Sequence, residues 1–291
     1  MERKMRFINE LTLDKARSWF VDVADTDQNY LAASFPRFVR MLDFARPTLK
    51  PNSTILDIGA HWLHQSFLFA NDGHQMKCLD VSLTMRNENV WKQAEAMGAT
   101  LHTTNRLELA HGFDDFADDS IDAVIFTEII EHLTFNPIIL WKAIYRVLKP
   151  GGHIYLSTPN SMYHETVQKN LIALLDDARY GIDLKDIFNT GTFGHHWKEF
   201  SKPELIEYFK ILSPDFEIAR MVGLECRPHK DEIWRMKYHL KKDGPNYLNF
   251  IPLIEKMDKL GYMPYDNQIF ADLHIQAKVH GISIAPPWIP E

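Results

Sequence analysis

Acidic side chains follow two short apolar segments in the first third of the chain. Asp57 and Gly59 stand at the end of the segment 54–58, and Asp80 stands at the end of the segment 76–81. If both segments are neighbouring parallel strands, their carboxyl ends meet at one edge of a sheet, where ligands of such sheets bind. A carboxylate at that edge accepts hydrogen bonds from both hydroxyls of a ribose. The spacing therefore predicts a site for a nucleoside-like ligand at Gly59 and Asp80.

A second group of reactive side chains follows the apolar segment 121–127. Glu128, Glu131 and His132 form the pattern E-x-x-E-H, and His196 lies further along the chain, before the sequence SKPEL. An imidazole beside a reaction site can accept or orient a proton at neutral pH. We therefore predict His132 and His196 as catalytic residues. The structural alternatives stay open: Glu131 and His132 could support the next helix, and His196 could face solvent.

Apolar periodicity indicates the elements that position these residues. Short apolar segments alternate with helical stretches of about 10–15 residues, which is typical of a parallel sheet covered by helices on both faces. Gly98 is a predicted helix stop, and Ser201 with Glu204 is a predicted helix start. Strands are predicted at 54–58, 76–81, 100–104, 121–127, 153–157, 216–222 and 272–279, and helices at 62–72, 84–97, 137–148, 162–180 and 201–212.

The chain divides into a short helical part and a longer α/β part. Residues 1–50 are predicted to form an N-terminal helical cap, because apolar residues recur there at helical spacing until Pro47 and Pro51. Residues 51–291 are predicted to form the sheet domain. About 223–270 is predicted to be a helical insertion between the last two strands.

Composition excludes several classes of protein. The chain of 291 residues has 32 Lys+Arg against 39 Asp+Glu, a net charge of −7, which argues against binding long nucleic acid through charge alone. Two cysteines cannot build a disulfide scaffold. No apolar run reaches the ~18 residues of a membrane helix, and the first ten residues do not have the apolar core of a signal peptide. We expect a cytoplasmic protein that has no membrane partner.

The motifs together resemble the class I S-adenosylmethionine-dependent methyltransferases. The matching sequences are ILDIGA (55–60), CLDV (78–81), DDSIDAVIFTEIIEHL (118–133), RVLKPGGHIYLSTPN (146–160) and HHWKEFSKPEL (195–205), in the order and spacing of that family. The resemblance implies a Rossmann-like, doubly wound sheet of seven mostly parallel strands, in which the last strand is antiparallel and inserted beside strand five. It also implies S-adenosylmethionine as cofactor. Aromatic residues around the expected acceptor entrance suggest a small organic acceptor methylated at oxygen or nitrogen, and no metal ligand is predicted. An anionic acceptor and the oligomeric state are left open.

The resemblance assigns cofactor-binding roles to particular residues, and one loop departs from the family. The family's first loop reads D-x-G-x-G-x-G, whereas this chain has His61 and Leu63 at the last two glycine positions. Either the loop takes another path, with His61 bonding the methionine carboxylate, or the pocket no longer holds the cofactor. Arg106 is an alternative to Asn105 near the adenine. The residues expected to bind the cofactor are Asp57, Gly59, His61, Asp80, Asn105, Thr127 and Glu128.

Three other functions are compatible with parts of the sequence. The set Glu128, Glu131, His132 and His196 is also similar to the metal ligands of small-RNA 3′-terminal 2′-O-methyltransferases, and two carboxylates with two imidazoles suit a divalent ion. A non-catalytic binding protein with a closed methyltransferase fold is the second. A nicotinamide-dependent oxidoreductase is the weakest, because Asp80 suits its ribose but G-x-G-x-x-G is absent.

Overall fold

The structure is a computed structural model, and it describes residues 12–20, 25–163, 196–226 and 266–285, with five further positions between 252 and 260. The predicted helix 162–180 and most of the predicted insertion lie outside the described residues. The strands are β1 (Thr54–Ile58), β2 (Gln75–Val81), β3 (Thr100–Thr104), β4 (Ile121–Thr127), β5 (Leu148–Pro159), β6 (Glu217–Leu224) and β7 (Gln268–Ile275).

The helices lie between the strands, as the periodicity predicts. Short 3-10 turns follow β3 at Leu107–Leu109 and Phe113–Asp115, and another follows β4 at Ile130–His132. The α-helices are α1 (Leu13–Trp19), α2 (Asp25–Ala45), α3 (His64–Asn71), α4 (Ser82–Met85), α5 (Glu88–Met97), α6 (Ile138–Val147) and α7 (Lys202–Leu212). No helix in the described parts of the chain is long and apolar enough to cross a membrane.

All seven strands belong to one sheet, in the order β3-β2-β1-β4-β5-β7-β6. Neighbouring strands from β3 to β5 are parallel, whereas β7 is antiparallel to both β5 and β6. The predicted fold class is therefore confirmed, including the antiparallel last strand beside strand five.

Apolar side chains cover both faces of this sheet. On one face, α6 and α7 pack through Trp141 and Phe209, both fully buried. On the other face, α1, α2 and α3 pack through Phe20, Met41 and Phe67. Helices α1 and α2, which lie within residues 1–50, therefore contribute directly to the core of the sheet.

Helix ends agree with the local sequence. Gly98 ends α5 with φ +68°, a conformation that glycine adopts without a Cβ clash. Ser201 begins α7 with a capping box, in which its hydroxyl accepts from the Glu204 N–H and the Glu204 carboxylate accepts from the Ser201 N–H. The predicted helix 84–97 is instead two helices, because Asn87 caps a new helix with its side chain.

Strands β5 and β7 differ most from the sequence prediction. β7 spans 268–275 rather than 272–279, and seven of its eight residues are buried. β5 begins at Leu148 instead of 153, because residues 148–152 continue beside β4 and β7. The predicted insertion is correspondingly limited to residues between Leu224 and Gln268.

Candidate functional site

A cavity of about 300 Å³ opens at the carboxyl ends of β1, β2, β3 and β4. This is the edge at which open parallel sheets bind ligands, and the volume lies at the small end of the ~300–1,000 Å³ typical of ligand pockets. Tyr30 of α2 contributes to the wall opposite the strands. Six of the seven residues predicted to bind the cofactor line this cavity: Gly59, His61, Asp80, Asn105, Thr127 and Glu128.

The loop after β1 has a glycine-like backbone at each position where the family has glycine. Gly59, His61 and Leu63 have φ values of +75°, +47° and +66°. The left-handed region costs a residue with a side chain roughly 1–2 kcal/mol. His61 is exposed beside the cavity, whereas Leu63 is fully buried at the start of α3. The backbone at positions 61 and 63 therefore stays in the region that glycine favours although both glycines are replaced, and the cavity beside the loop is open.

A side chain at Gly59 would have to displace Ile129 and would adopt a strained backbone, because φ is +75°. A Cβ at this position would lie 2.2 Å from Cδ1 of Ile129, which also lines the cavity. The Gly59 N–H donates to the carbonyl oxygen of Leu79 at 2.8 Å, which holds the loop against the end of β2. The end of β1 approaches Ile129 this closely because residue 59 is glycine.

The Asp80 carboxylate is fixed by backbone N–H groups. Oδ2 accepts from the His61 N–H at 2.6 Å, and Oδ1 accepts from the Val81 N–H at 2.6 Å. Burial raises the pKa of Asp80, and the two backbone hydrogen bonds oppose that rise. Each carboxylate oxygen can accept a further hydrogen bond. Asp80 is therefore a preoriented acceptor at the β2 side of the cavity.

Asp57 does not line the cavity. Its carboxylate is 1% exposed and accepts a 2.5 Å hydrogen bond from the Ser66 hydroxyl of α3. Burial is the main reason that the pKa of Asp57 is raised to about 7, and the nearby Asp80 also raises it. The structure thus places Asp57 beneath the loop, where it ties β1 to α3 and does not touch the cavity.

At the β3 end, Asn105 lines the cavity and Arg106 does not. The Arg106 guanidinium instead pairs with Glu108 at 2.8 Å on the surface. Leu107, just after Arg106, lines the cavity together with Leu79 and Val81. Thr104 and Thr84 line the cavity as well. This end therefore combines apolar side chains with the Asn105 amide and two hydroxyl groups, and both kinds of surface suit an adenine ring.

Glu128 follows β4 directly. Its backbone has a positive φ, and both of its carboxylate oxygens have polar partners. Its φ is +55°, an uncommon conformation for a residue with a side chain. Oε1 accepts from the Ser157 hydroxyl at 2.8 Å and lies 3.4 Å from Nη1 of Arg37. Oε2 accepts from the Gln268 amide at 3.2 Å. The carboxylate is therefore held by β5, β7 and α2 together.

Glu131 is fully buried beside Glu128. Oε2 accepts from the Thr158 hydroxyl at 3.0 Å, while Oε1 has no hydrogen-bond partner among the described residues. Burial, followed by the charge of Glu128, raises the pKa of Glu131 well above its usual range. A buried carboxylate oxygen without a partner is costly, so this atom is available to a ligand.

His132 and His196 meet at the mouth of the cavity. Their ring centroids are 4.8 Å apart, because the Trp197 N–H donates to the Glu131 carbonyl oxygen at 2.7 Å and pins the segment before α7. His132 lines the cavity, whereas His196 is half-exposed and its Nδ1 lies 2.8 Å from Oε1 of Glu199. The two residues predicted as catalytic are thus adjacent, and one of them faces the cavity.

Glu131, His132 and His196 could together hold a metal ion. One ligand atom from each lies within 4.8 Å of the others. Carboxylate and imidazole ligands suit several divalent ions, and the unpartnered Glu131 oxygen fits such a role. Glu128, the fourth residue of the set expected for the RNA methyltransferases, is outside this group and is engaged by Ser157 and Gln268.

Sequence reasoning missed two residues of α2. Tyr30 lines the cavity, and Arg37 reaches Glu128 from the helix face that packs on the sheet. Arg37 stands between Phe35 and Phe38, two of the apolar residues that recur at helical spacing in α2. The sequence could have indicated Arg37 as a cation on an otherwise apolar helix face. This signal does not reveal which carboxylate pairs with the arginine.

The profile of a family described as "Methyltransferase domain" matches residues 29–210, more than half of the chain. The chain is 26% identical to a ubiquinone biosynthesis O-methyltransferase of Xanthomonas campestris over 227 residues, 77% of this chain and 85% of that protein. It is 34% identical to the mitochondrial ubiquinone biosynthesis O-methyltransferase of Dictyostelium discoideum over 113 residues, 38% of this chain but 31% of that protein.

Solved structures share the fold at low identity. A SAM-dependent methyltransferase from Archaeoglobus fulgidus has a TM-score of 0.52 and 18% identity, covering 84% of this chain and 98% of the other. A SAM-dependent methyltransferase from Methanosarcina mazei has a TM-score of 0.51 and 17% identity, covering 81% and 98%. At these identities the likeness establishes a common architecture.

Proposed function

The chain belongs to the class I S-adenosylmethionine-dependent methyltransferases, and from that premise we propose that it methylates a small organic acceptor at an oxygen or nitrogen atom. The observation that carries this proposal is the placement of Gly59, Asp80 and Glu128 around one cavity at the carboxyl ends of the strands. The names of the relatives support a small acceptor, since those proteins are ubiquinone biosynthesis O-methyltransferases.

The cavity residues fit the cofactor in three places. Asp80 accepts hydrogen bonds from the ribose hydroxyls, and Asn105 with the apolar wall near Leu107 holds the adenine. Glu128 lies two strands from Asp80, about 10 Å away across the sheet at the ~4.8 Å strand spacing, and faces the cationic end. Gly59 and Thr127 form the floor between them. His61, at the loop's exposed side, is our proposed contact for the methionine carboxylate.

S-adenosylmethionine, when bound, supplies a methyl group already activated by its sulfonium. The protein has to align the acceptor and, for a hydroxyl or ammonium acceptor, remove a proton. We assign the proton-accepting role to His132, because its ring lines the cavity beside Glu128. His196 is assigned to orient the acceptor or to relay the proton, since Glu199 holds its Nδ1 and its ring contacts His132.

A binding measurement followed by a turnover measurement tests this function. Isothermal titration with S-adenosylmethionine should show one site per chain, and incubation with a panel of small phenols, carboxylic acids and amines should release S-adenosylhomocysteine. His132→Gln should keep cofactor affinity and lose most turnover, whereas exchange of the surface residue His111 for Gln should change neither. A protein that binds no S-adenosylmethionine would instead be the non-catalytic binding protein considered above.

The second candidate is a metal-dependent RNA 3′-terminal 2′-O-methyltransferase. It is favoured by the spacing of Glu131, His132 and His196, and it is opposed by the engagement of Glu128 elsewhere. Addition of a divalent-ion chelator separates the two candidates, because only the metal-dependent reaction on RNA should stop. A cytoplasmic location and the division at residue 50 also remain proposals, and they can be checked by cell fractionation and by expression of residues 51–291.

A further inference from the structure

A buried cation lies directly behind the wall of the cavity. Arg37 is 11% exposed in its side chain, and its Nη1 lies 3.4 Å from Oε1 of Glu128. Its Nη2 donates to the Tyr30 hydroxyl at 3.2 Å, and the guanidinium carbon lies 5.1 Å from the centre of the Phe38 ring. Burial alone would lower the pKa of Arg37, but Glu128 and Tyr30 raise it above its usual value. The guanidinium is therefore charged.

Glu128 cannot swing away from Arg37 to serve another cation. Its carboxylate accepts from Ser157 and Gln268, its N–H donates to the Ser157 carbonyl oxygen at 2.9 Å, and its backbone is constrained at φ +55°. Any positive charge placed in the cavity at the end of β4 must consequently share one fixed carboxylate with Arg37. Two cations that share one carboxylate repel each other, and burial strengthens that repulsion.

The methyl donor and the product that it leaves differ by one unit of charge. The donor carries a sulfonium, whereas the product left after transfer of the methyl group is a neutral thioether. The other groups of the two molecules are the same. On the proposed function, the sulfonium lies beside Glu128, so the repulsion by Arg37 acts on the donor and vanishes in the product.

We propose that Arg37 is a positioning residue that sets the relative affinity of the cavity for the sulfonium donor and the thioether product. Its charge weakens binding of the donor, and transfer of the methyl group relieves that repulsion. This inference rests on the proposed function, because it requires the sulfonium at Glu128. Arg37 acts through Glu128, not by contact with the acceptor.

The test compares two dissociation constants in wild type, in three variants of Arg37 and in one control variant. S-adenosylmethionine and S-adenosylhomocysteine are titrated calorimetrically into wild type, Arg37→Met, Arg37→Gln and Arg37→Lys. The ratio of the donor constant to the product constant should fall roughly tenfold in the Met and Gln variants, a change of about 1.4 kcal/mol. It should stay within about threefold of wild type in the Lys variant, which keeps the charge. Arg40→Met, an exposed arginine on the same helix, should leave both constants unchanged.

Different failures overturn different statements. Wild-type protein that binds neither ligand would overturn the proposed function itself. Normal binding with an unchanged ratio in the Met and Gln variants would overturn only the role of Arg37. Loss of thioether binding in both neutral variants would also overturn it, because Arg37 would then build the cavity instead of tuning its charge.

Discussion

The N–H of His61 donates a 2.6 Å hydrogen bond to Oδ2 of Asp80. This bond links the loop after β1 to the carboxylate that ends β2, and so couples the shape of the loop to the proposed ribose contact. The backbone at His61 can therefore stay in the left-handed region although the glycine is replaced, because the neighbouring strand supplies a fixed acceptor for its N–H.

We predict that loss of the Asp80 carboxylate weakens binding of S-adenosylmethionine by at least about tenfold (~1.4 kcal/mol). Asp80→Asn keeps one oxygen that can accept from His61 but loses the second acceptor, whereas Asp80→Ala loses both. The affinity should consequently fall in the order wild type, Asn variant, Ala variant, measured by titration calorimetry. Equal affinities in the three proteins would place the ribose elsewhere.

Replacement of His61 by glycine should stabilise the protein by about 1 kcal/mol, because glycine adopts positive φ without a Cβ clash. The free energy of unfolding in urea measures this change. Leu63→Gly removes the same backbone strain but also a fully buried side chain, so it should destabilise by roughly 2 kcal/mol or more. If His61 contacts the methionine carboxylate, His61→Gly should also weaken cofactor binding. If the variant is more stable but binds S-adenosylmethionine with unchanged affinity, His61 does not contact the cofactor.

Gly59→Ala should disturb the cavity, because the added Cβ would lie 2.2 Å from Ile129. We expect affinity for S-adenosylmethionine to fall at least about tenfold. Gly98→Ala is the matched control: Gly98 also has positive φ, but a Cβ there meets no atom within 4 Å. Both variants should lose about 1 kcal/mol of stability to backbone strain, and only the Gly59 variant should lose affinity. Equal affinities in the two would contradict a role for Gly59 in shaping the pocket.

The strands that carry the site were predictable from sequence, and β7 was not placed correctly. Strands β1, β2 and β4 are short apolar segments that end at Ile58, Val81 and Thr127, where the sequence predicted their ends. β7 is buried on both faces. The alternation that seemed to mark residues 272–279 therefore belongs to the end of the strand and the segment after it, because a strand without a solvent face has no polar period.

The sequence also could not predict which partners the charged residues Asp57 and Arg37 contact. Asp57 was expected to bind the cofactor because the family's first-loop motif begins with it. A strand alternates its side chains between two faces, however, and Asp57 points to α3. Arg37 is about 90 residues from Glu128 in the chain. Nothing local indicates their pairing, since it arises only when α2 packs against β5 and β7.

The buried Asp57 predicts how stability depends on pH. Burial, together with the charge of Asp80, raises the pKa of Asp57 to about 7 in the folded protein from its ordinary value of 3.8. Between these two values the folded state binds a proton that the unfolded state has released, so the free energy of unfolding falls as pH rises. The shift of about three units corresponds to roughly 4 kcal/mol at most, lost between about pH 4 and pH 7.

Asp57→Asn should remove this contribution while its amide oxygen still accepts from Ser66. The variant should therefore gain stability relative to wild type as pH rises, with the difference complete by about pH 8. Urea unfolding of both proteins at pH 5 and pH 8 measures it. His64, whose pKa is lowered to about 3 by burial, acts in the opposite direction over the same range. Because His64 is present in both proteins, its effect cancels in the comparison. Parallel pH profiles for wild type and the Asn variant would mean that Asp57 is ionised in the folded protein.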